Sequence, residues 1–323
     1  MENVNNHQNK ENLMVYNADC RNNYSDNKIE GYTGNVIHGD CGQVLQGIPE
    51  ASIDLVVTSP PYADQRCYGS QVRKIKPDDY IEWFIPIANE IKRVIKDTGS
   101  FILNINDKVV TGKQHTYAFE VVIELTKTVG FNFVRDYIWY NPATPPNIFS
   151  RGNHGRTKKS HEYLFWFSKS DKWYFDLDAI RKPYSKSMLK YLKGEGKGSR
   201  AQNIRPSTHS FNCEKKWEDK GGSDPGSVIQ IANTRSVDFT SLICREKKIQ
   251  HPARFPEKLV EFFILSGSAK GSIVLDPFCG SGTTLISAQR HERLWIGIDA
   301  NEDYCELARC RIAHEFGNIT HTD

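Results

Sequence analysis

The chain lacks several things at once, and each absence narrows what it can be. No apolar run in its 323 residues approaches the ~20 needed to cross a bilayer as a helix. Residues 1–28 are rich in Asn and have neither the basic start nor the apolar core of a signal peptide. A loosely attached arm over residues 1–30 of a cytoplasmic protein is the expectation. The 8 cysteines are too dilute for a disulfide framework, form no Cys-x-x-Cys pair, and none follows a proline. The nearest approach to a metal set, Cys305, Cys310 and His314, matches no zinc spacing, so no metal is expected. A net charge of +3 is too small to name a partner, and there are no internal repeats.

What is present is an apolar fraction of 38%, enough for a substantial core, and an uneven distribution of charge. Residues 151–220 carry 17 Lys or Arg against 8 Asp or Glu, which leaves the rest of the chain net acidic. Such a basic stretch is the electrostatic footprint of a nucleic-acid-binding segment, although a solvated face also produces it. Elsewhere, short β-branched runs alternate with helical periods, the pattern of a mostly parallel sheet with helices on both faces. Strands are predicted at 35–38, 53–58, 100–105, 131–140, 162–168, 272–275 and 294–298. Helices are predicted at 80–96, 118–129, 255–266, 283–291 and 302–314. Residues 184–224, dominated by Gly, Ser, Lys and Asn, are read as loop-rich.

Two segments carry chemistry. In the first, a buried strand ends in Asp276 and turns through Pro277, Phe278, Gly280 and Gly282 into a helix opened by Thr283 and Thr284. Glycines let backbone approach a ligand, and a helix N-terminus offers unpaired N–H groups and a positive dipole end. A phosphate-binding P-loop is excluded, because no Lys follows Gly282. The next strand ends in Asp299, where Rossmann-like sheets bond ribose hydroxyls; it is also placed to cap the helix that follows. Together these features predict a site for an adenosine-containing cofactor.

In the second segment, Thr58-Ser59-Pro60-Pro61-Tyr62 follows a predicted strand directly. Consecutive prolines fix φ twice and remove two donors, so this backbone offers acceptors. The Ser59 side chain and the Pro60 carbonyl are suited to accept both hydrogens of an exocyclic amine, with Tyr62 stacking on its base. A turn that merely ends a strand is the plainer alternative for Pro-Pro alone.

The two motifs together resemble the amino-methyltransferases of bacterial restriction–modification systems. Their order, catalytic loop before cofactor loop, resembles the family's β group, in which the sheet is circularly permuted. The resemblance covers most of residues 35–314. It implies a class I methyltransferase fold, S-adenosyl-L-methionine as cofactor, and double-stranded DNA with a flipped target base as partner. It also implies a cognate endonuclease encoded nearby and a monomer or homodimer. By it, Asp40 of Gly39-Asp40 helps hold the adenosine, and the segment from His251 to Lys258 leads into a helix beside the methionine end. Residues 31–144 and 251–323 are then the catalytic domain. Residues 145–250 hold the target-recognition region, with Arg151, Arg156, Lys158 and Lys159 facing phosphates. Ser59, where adenine enzymes mostly carry Asp or Asn, favours cytosine N4 over adenine N6. A carbon-5 enzyme lacks its Pro-Cys nucleophile here. Relatives acting on protein glutamine or RNA usually place Asn before the prolines and the cofactor loop first. A non-catalytic DNA-binding module is disfavoured by the intact Asp276, Gly280, Gly282 and Asp299.

Overall fold

The computed structural model describes residues 29–63, 74–144, 155–195, 219–233 and 255–317. In chain order the strands are β1 (Asn35–His38), β2 (Ile53–Thr58), β3 (Ile95–Ile105), β4 (Val109–Val110), β5 (Lys113–Gln114), β6 (Asn132–Tyr140), β7 (His161–Ser168), β8 (Val228–Gln230), β9 (Ile273–Asp276) and β10 (Leu294–Asp299). The helices are α1 (Cys41–Gly47), α2 (Tyr80–Val94), α3 (Tyr117–Lys127), α4 (Lys186–Leu192), α5 (Glu257–Gly267), α6 (Thr283–Arg290) and α7 (Glu302–Phe316). Eight strands form one sheet in the order β1-β10-β9-β2-β3-β7-β6-β8, and β4 and β5 make a separate hairpin. Among these described strands, only β7 runs against the others in the large sheet. Buried side chains of α1, α2 and α3 fill the core on one face, and those of α5, α6 and α7 fill the other. Strand β2 shows why: Ile53 and Val56 point into the first core while Leu55 and Val57 point into the second. Each helix buries a stripe on its own side, as in α2 with Tyr80, Phe84, Ile87, Ala88, Ile91 and Val94. The expected α/β architecture with a mostly parallel sheet is the one observed.

Several elements differ from the sequence expectation. Helix α1 went unpredicted because seven residues with two glycines give little helical signal; it forms because Asp40 caps it, accepting from Gln43 N at 3.1 Å. Helix α4 lies inside the stretch read as loop-rich. The segment assigned to target recognition holds β7, which the sequence predicts at 162–168, and β8, which it does not, and both pair into the large sheet. Its run Leu164-Phe165-Trp166-Phe167 is buried on both sides, which is core behaviour and not that of a surface insertion. The consequence for the site is directional. Since β7 runs opposite to β2 and β3, its first residues arrive at the edge where those strands end.

Candidate active site

The loops after β2 and β9 lie side by side, because the two strands are parallel neighbours with Val56 opposite Leu275. Side chains tie their ends together. Asp276 Oδ1 accepts from Thr58 Oγ1 at 2.6 Å and from Phe278 N at 3.1 Å, and Oδ2 accepts from Thr284 Oγ1 at 2.6 Å. The carboxyl is buried, and burial raises its pKa from 3.8 to about 6, against the lowering effect of the two hydroxyls and the amide. Of the residues expected at the cofactor, Asp276, Pro277, Gly282, Thr283 and Thr284 are buried and shape the loop from inside.

The loop after β9 closes through Gly280 and Gly282 at φ 51° and 78°, which L side chains rarely adopt. A Cβ on Gly282 would also meet the Ala308 side chain at 3.0 Å. Arg311, on α7, braces the turn, donating to the Ser281 carbonyl and, at 3.3 Å, to Thr283 Oγ1. Asp299 ends β10 beside this loop. One of its oxygens accepts from Gly280 N and the other from Asn301 N, each at 2.9 Å. It does not cap α7; Asn301 does, accepting from Asp303 N. Each Asp299 oxygen keeps a further lone-pair direction, and burial raises the carboxyl's pKa. Half-buried Phe278 packs on Trp83 of α2 with centroids 5.8 Å apart. Asp40 is exposed at the end of β1, with one oxygen engaged by α1. Carboxylate, left-handed glycine turn and aromatic wall fit a ribose-bearing ligand.

The loop after β2 is held on both sides. Tyr80 donates to the Pro61 carbonyl at 3.1 Å. Ser59 Oγ donates to Tyr62 Oη at 3.1 Å. The Tyr62 hydroxyl in turn faces Asn104 Oδ1 at 3.0 Å and Glu162 Oε2 at 2.7 Å. Asn104 follows Leu103, which stands opposite Thr58, and so lies level with Ser59. Glu162 comes from the start of the antiparallel β7. Neither residue was singled out from the sequence. Asn104 had a signal, a lone amide inside the apolar run Phe-Ile-Leu-Asn-Ile, since a buried polar group demands a partner.

The basic residues expected at DNA occupy the same edge in part. Arg156 donates to the Gly112 carbonyl at 3.1 Å and Lys158 to the Thr144 carbonyl at 3.0 Å, both without a countercharge in those bonds. Lys159 differs: it pairs with buried Asp107 and lies 4.8 Å over the Tyr163 ring. Arg151 and the segment 251–254 lie outside the described residues. Burial pushes up the thiols of Cys41, Cys279 and Cys305, the last to about 12, so these sulfurs stay protonated and are poor nucleophiles. No described helix is long and apolar enough to cross a membrane.

The profile of a DNA methylase family matches residues 53–309, which span both loops. The chain belongs to this DNA methylase family. It is 33% identical over 283 residues to the type II methyltransferase M.PvuII of Proteus hauseri, covering 86% of this chain and 83% of that one. It is 32% identical over 274 residues to the orphan methyltransferase M.BamHII of Bacillus amyloliquefaciens, covering 83% and 91%. Among solved structures, the PvuII DNA methyltransferase, described as cytosine-N4-specific, superposes with a TM-score of 0.65 at 28% identity, covering 88% of this chain and 87% of that one. A DNA modification methylase fold from Thermus thermophilus, solved with S-adenosyl-L-methionine, has a TM-score of 0.54 at 24% identity, covering 88% and 95%.

Proposed function

We propose that this chain is a site-specific DNA methyltransferase that moves a methyl group from S-adenosyl-L-methionine to N4 of a cytosine flipped out of the duplex. The observation that carries this reading is the bond from Thr58 to Asp276, which puts the amine-accepting loop and the glycine loop against each other at one sheet edge. Asp299 takes the ribose hydroxyls, Gly280 and Gly282 let the backbone close on the ligand, and Phe278 lines its side. When bound, the cofactor supplies a methyl group on a positively charged sulfur, which keeps the electron pair of the broken S–CH3 bond, and the methylated nitrogen then gives up one hydrogen as a proton to solvent. Ser59 Oγ and the Pro60 carbonyl accept the two amine hydrogens and so aim the nitrogen lone pair at that carbon. Tyr62 holds the flipped base by its ring. Arg156 and Lys158, with Arg151, contact phosphates.

The M.PvuII likeness, and Ser where adenine enzymes mostly carry an acid or amide, favour cytosine N4 as the acceptor. The setting is the bacterial cytoplasm, with a cognate endonuclease encoded nearby and the enzyme acting as a monomer or homodimer. Mass spectrometry of nucleosides from DNA incubated with the protein and cofactor tests the reading. N4-methylcytosine is expected; N6-methyladenine alone, or no methylated base, overturns it.

A further inference from the structure

The hydroxyl of Tyr62 carries one proton and faces two oxygens that have none to give. A carboxylate such as Glu162 only accepts. The Asn104 amide is oriented by its nitrogen, which donates to the Tyr163 carbonyl at 3.1 Å and to Glu162 Oε2 at 3.4 Å, leaving Oδ1 toward Tyr62. Tyr62 therefore donates, at 2.7 Å to Glu162 or at 3.0 Å to Asn104. Its oxygen is left to accept, and Ser59 Oγ donates to it at 3.1 Å. A serine hydroxyl whose only proton is committed in this way offers lone pairs alone to anything else.

We propose that Glu162 sets the direction of this hydrogen-bond chain and thereby fixes Ser59 as an acceptor for the target amine. The inference rests on the amine-methylating reading above. An unbiased serine hydroxyl samples both roles, and the wrong one does harm: a serine donating to the nitrogen occupies the electron pair that has to attack. With its proton held by Tyr62, Ser59 bonds only the amine hydrogens, and the nitrogen lone pair stays free. Glu162 is thus a positioning residue that acts through Tyr62 without touching the base. The reversed strand β7 is what brings its carboxylate to the edge where β2 ends.

Single-turnover methyl transfer to duplex DNA is measured for wild type, Glu162→Gln, Glu162→Met, Tyr62→Phe and the Glu162→Met/Tyr62→Phe pair, alongside cofactor and DNA affinity and thermal midpoint. Gln retains an oxygen without the charge, and Met has the length without an acceptor. The rate is expected to fall about three- to tenfold in Glu162→Gln and about ten- to a hundredfold in Glu162→Met, with both affinities unchanged. In the Tyr62→Phe background Glu162→Met is expected to add nothing, which a role in folding alone does not produce. Rates within twofold of wild type in both Glu162 variants overturn the proposal, as does a double variant that multiplies the single defects. If the Glu162 variants do not fold, Tyr62→Phe makes the test by itself. It also frees the Ser59 proton, and a wild-type rate there overturns the proposal. A wild type that methylates no base overturns the functional reading and this inference with it; a methylating wild type with indifferent variants overturns this inference alone.

Discussion

Thr58 and Asp276 are 218 residues apart in the chain and 2.6 Å apart in the fold. One ends the strand that carries the amine-accepting loop, and the other ends the strand that carries the cofactor loop. Asp276 engages its carboxylate with Thr58, Thr284 and the Phe278 amide, and so rivets the two loops together.

That rivet has a pH signature. Its carboxyl titrates near 3.8 when unfolded and near 6 when folded, because burial opposes the charge. As pH rises between these values the unfolded chain ionises first, so the folded state loses stability across this window and the loss is complete above it. Asp276→Asn removes the effect. The thermal midpoint of wild type relative to this variant is expected to fall between about pH 4 and 6, by the equivalent of about 3 kcal/mol, and to stay level above pH 7. A difference that is the same at pH 4 and pH 7 would show that the group is not buried as described.

Asp299→Ala removes the carboxylate proposed for the ribose and also frees the Gly280 amide it holds. Loss of charge-assisted bonds of this kind is expected to weaken cofactor binding about a hundredfold, with Asp299→Asn in between. Calorimetric titration with S-adenosyl-L-methionine checks this, and unchanged affinity in the alanine variant contradicts the assignment.

Ser59→Ala is expected to lower turnover by about one to three orders of magnitude while cofactor affinity holds, because the lost bond matters most in the transition state. Tyr62→Ala impairs capture of the flipped base, whereas Tyr62→Phe keeps the stacking face and is the milder of the two. Single-turnover rates and DNA affinity for the three variants separate these roles. A near-normal rate in Ser59→Ala removes serine from the chemistry.

The basic residues divide by their partners. Arg156→Ala and Lys158→Ala are each expected to lower the slope of log affinity against log salt by about one, since each charge is available to a phosphate. Lys159→Ala instead removes one cation from buried Asp107 and costs about 1–3 kcal/mol of stability with a smaller effect on the slope. DNA-binding isotherms at several salt concentrations and thermal melts distinguish the two patterns.

Seven of the sheet's eight strands and five of the helices were readable in the sequence because β-branched runs and helical stripes report burial directly, whereas the three-residue β8 was not. The site was readable in part. The loop of Ser59 and Tyr62 and the glycine turn announce themselves by backbone chemistry that few other functions require. Asn104 and Glu162 did not, because their importance depends on which strands are neighbours and on β7 running backwards, and pairing between segments some 60 residues apart leaves no local trace. The pairing of Lys159 was hidden for the same reason: its acid partner Asp107 lies far from it in the chain. The two ends of Asp276's role, ligand residue or rivet, differ only in which way a side chain turns at the strand's end.

The neighbouring strands β2 and β9 are far apart in the chain. During synthesis, the segment bearing Ser59 emerges long before the strand that will flank it, and it waits through more than half of this sequence without its rivet. No partial product of the ribosome that stops short of residue 276 holds the two loops together. Methylating capacity therefore arrives late in translation, and a copy interrupted before that point binds neither half of the reaction into one place.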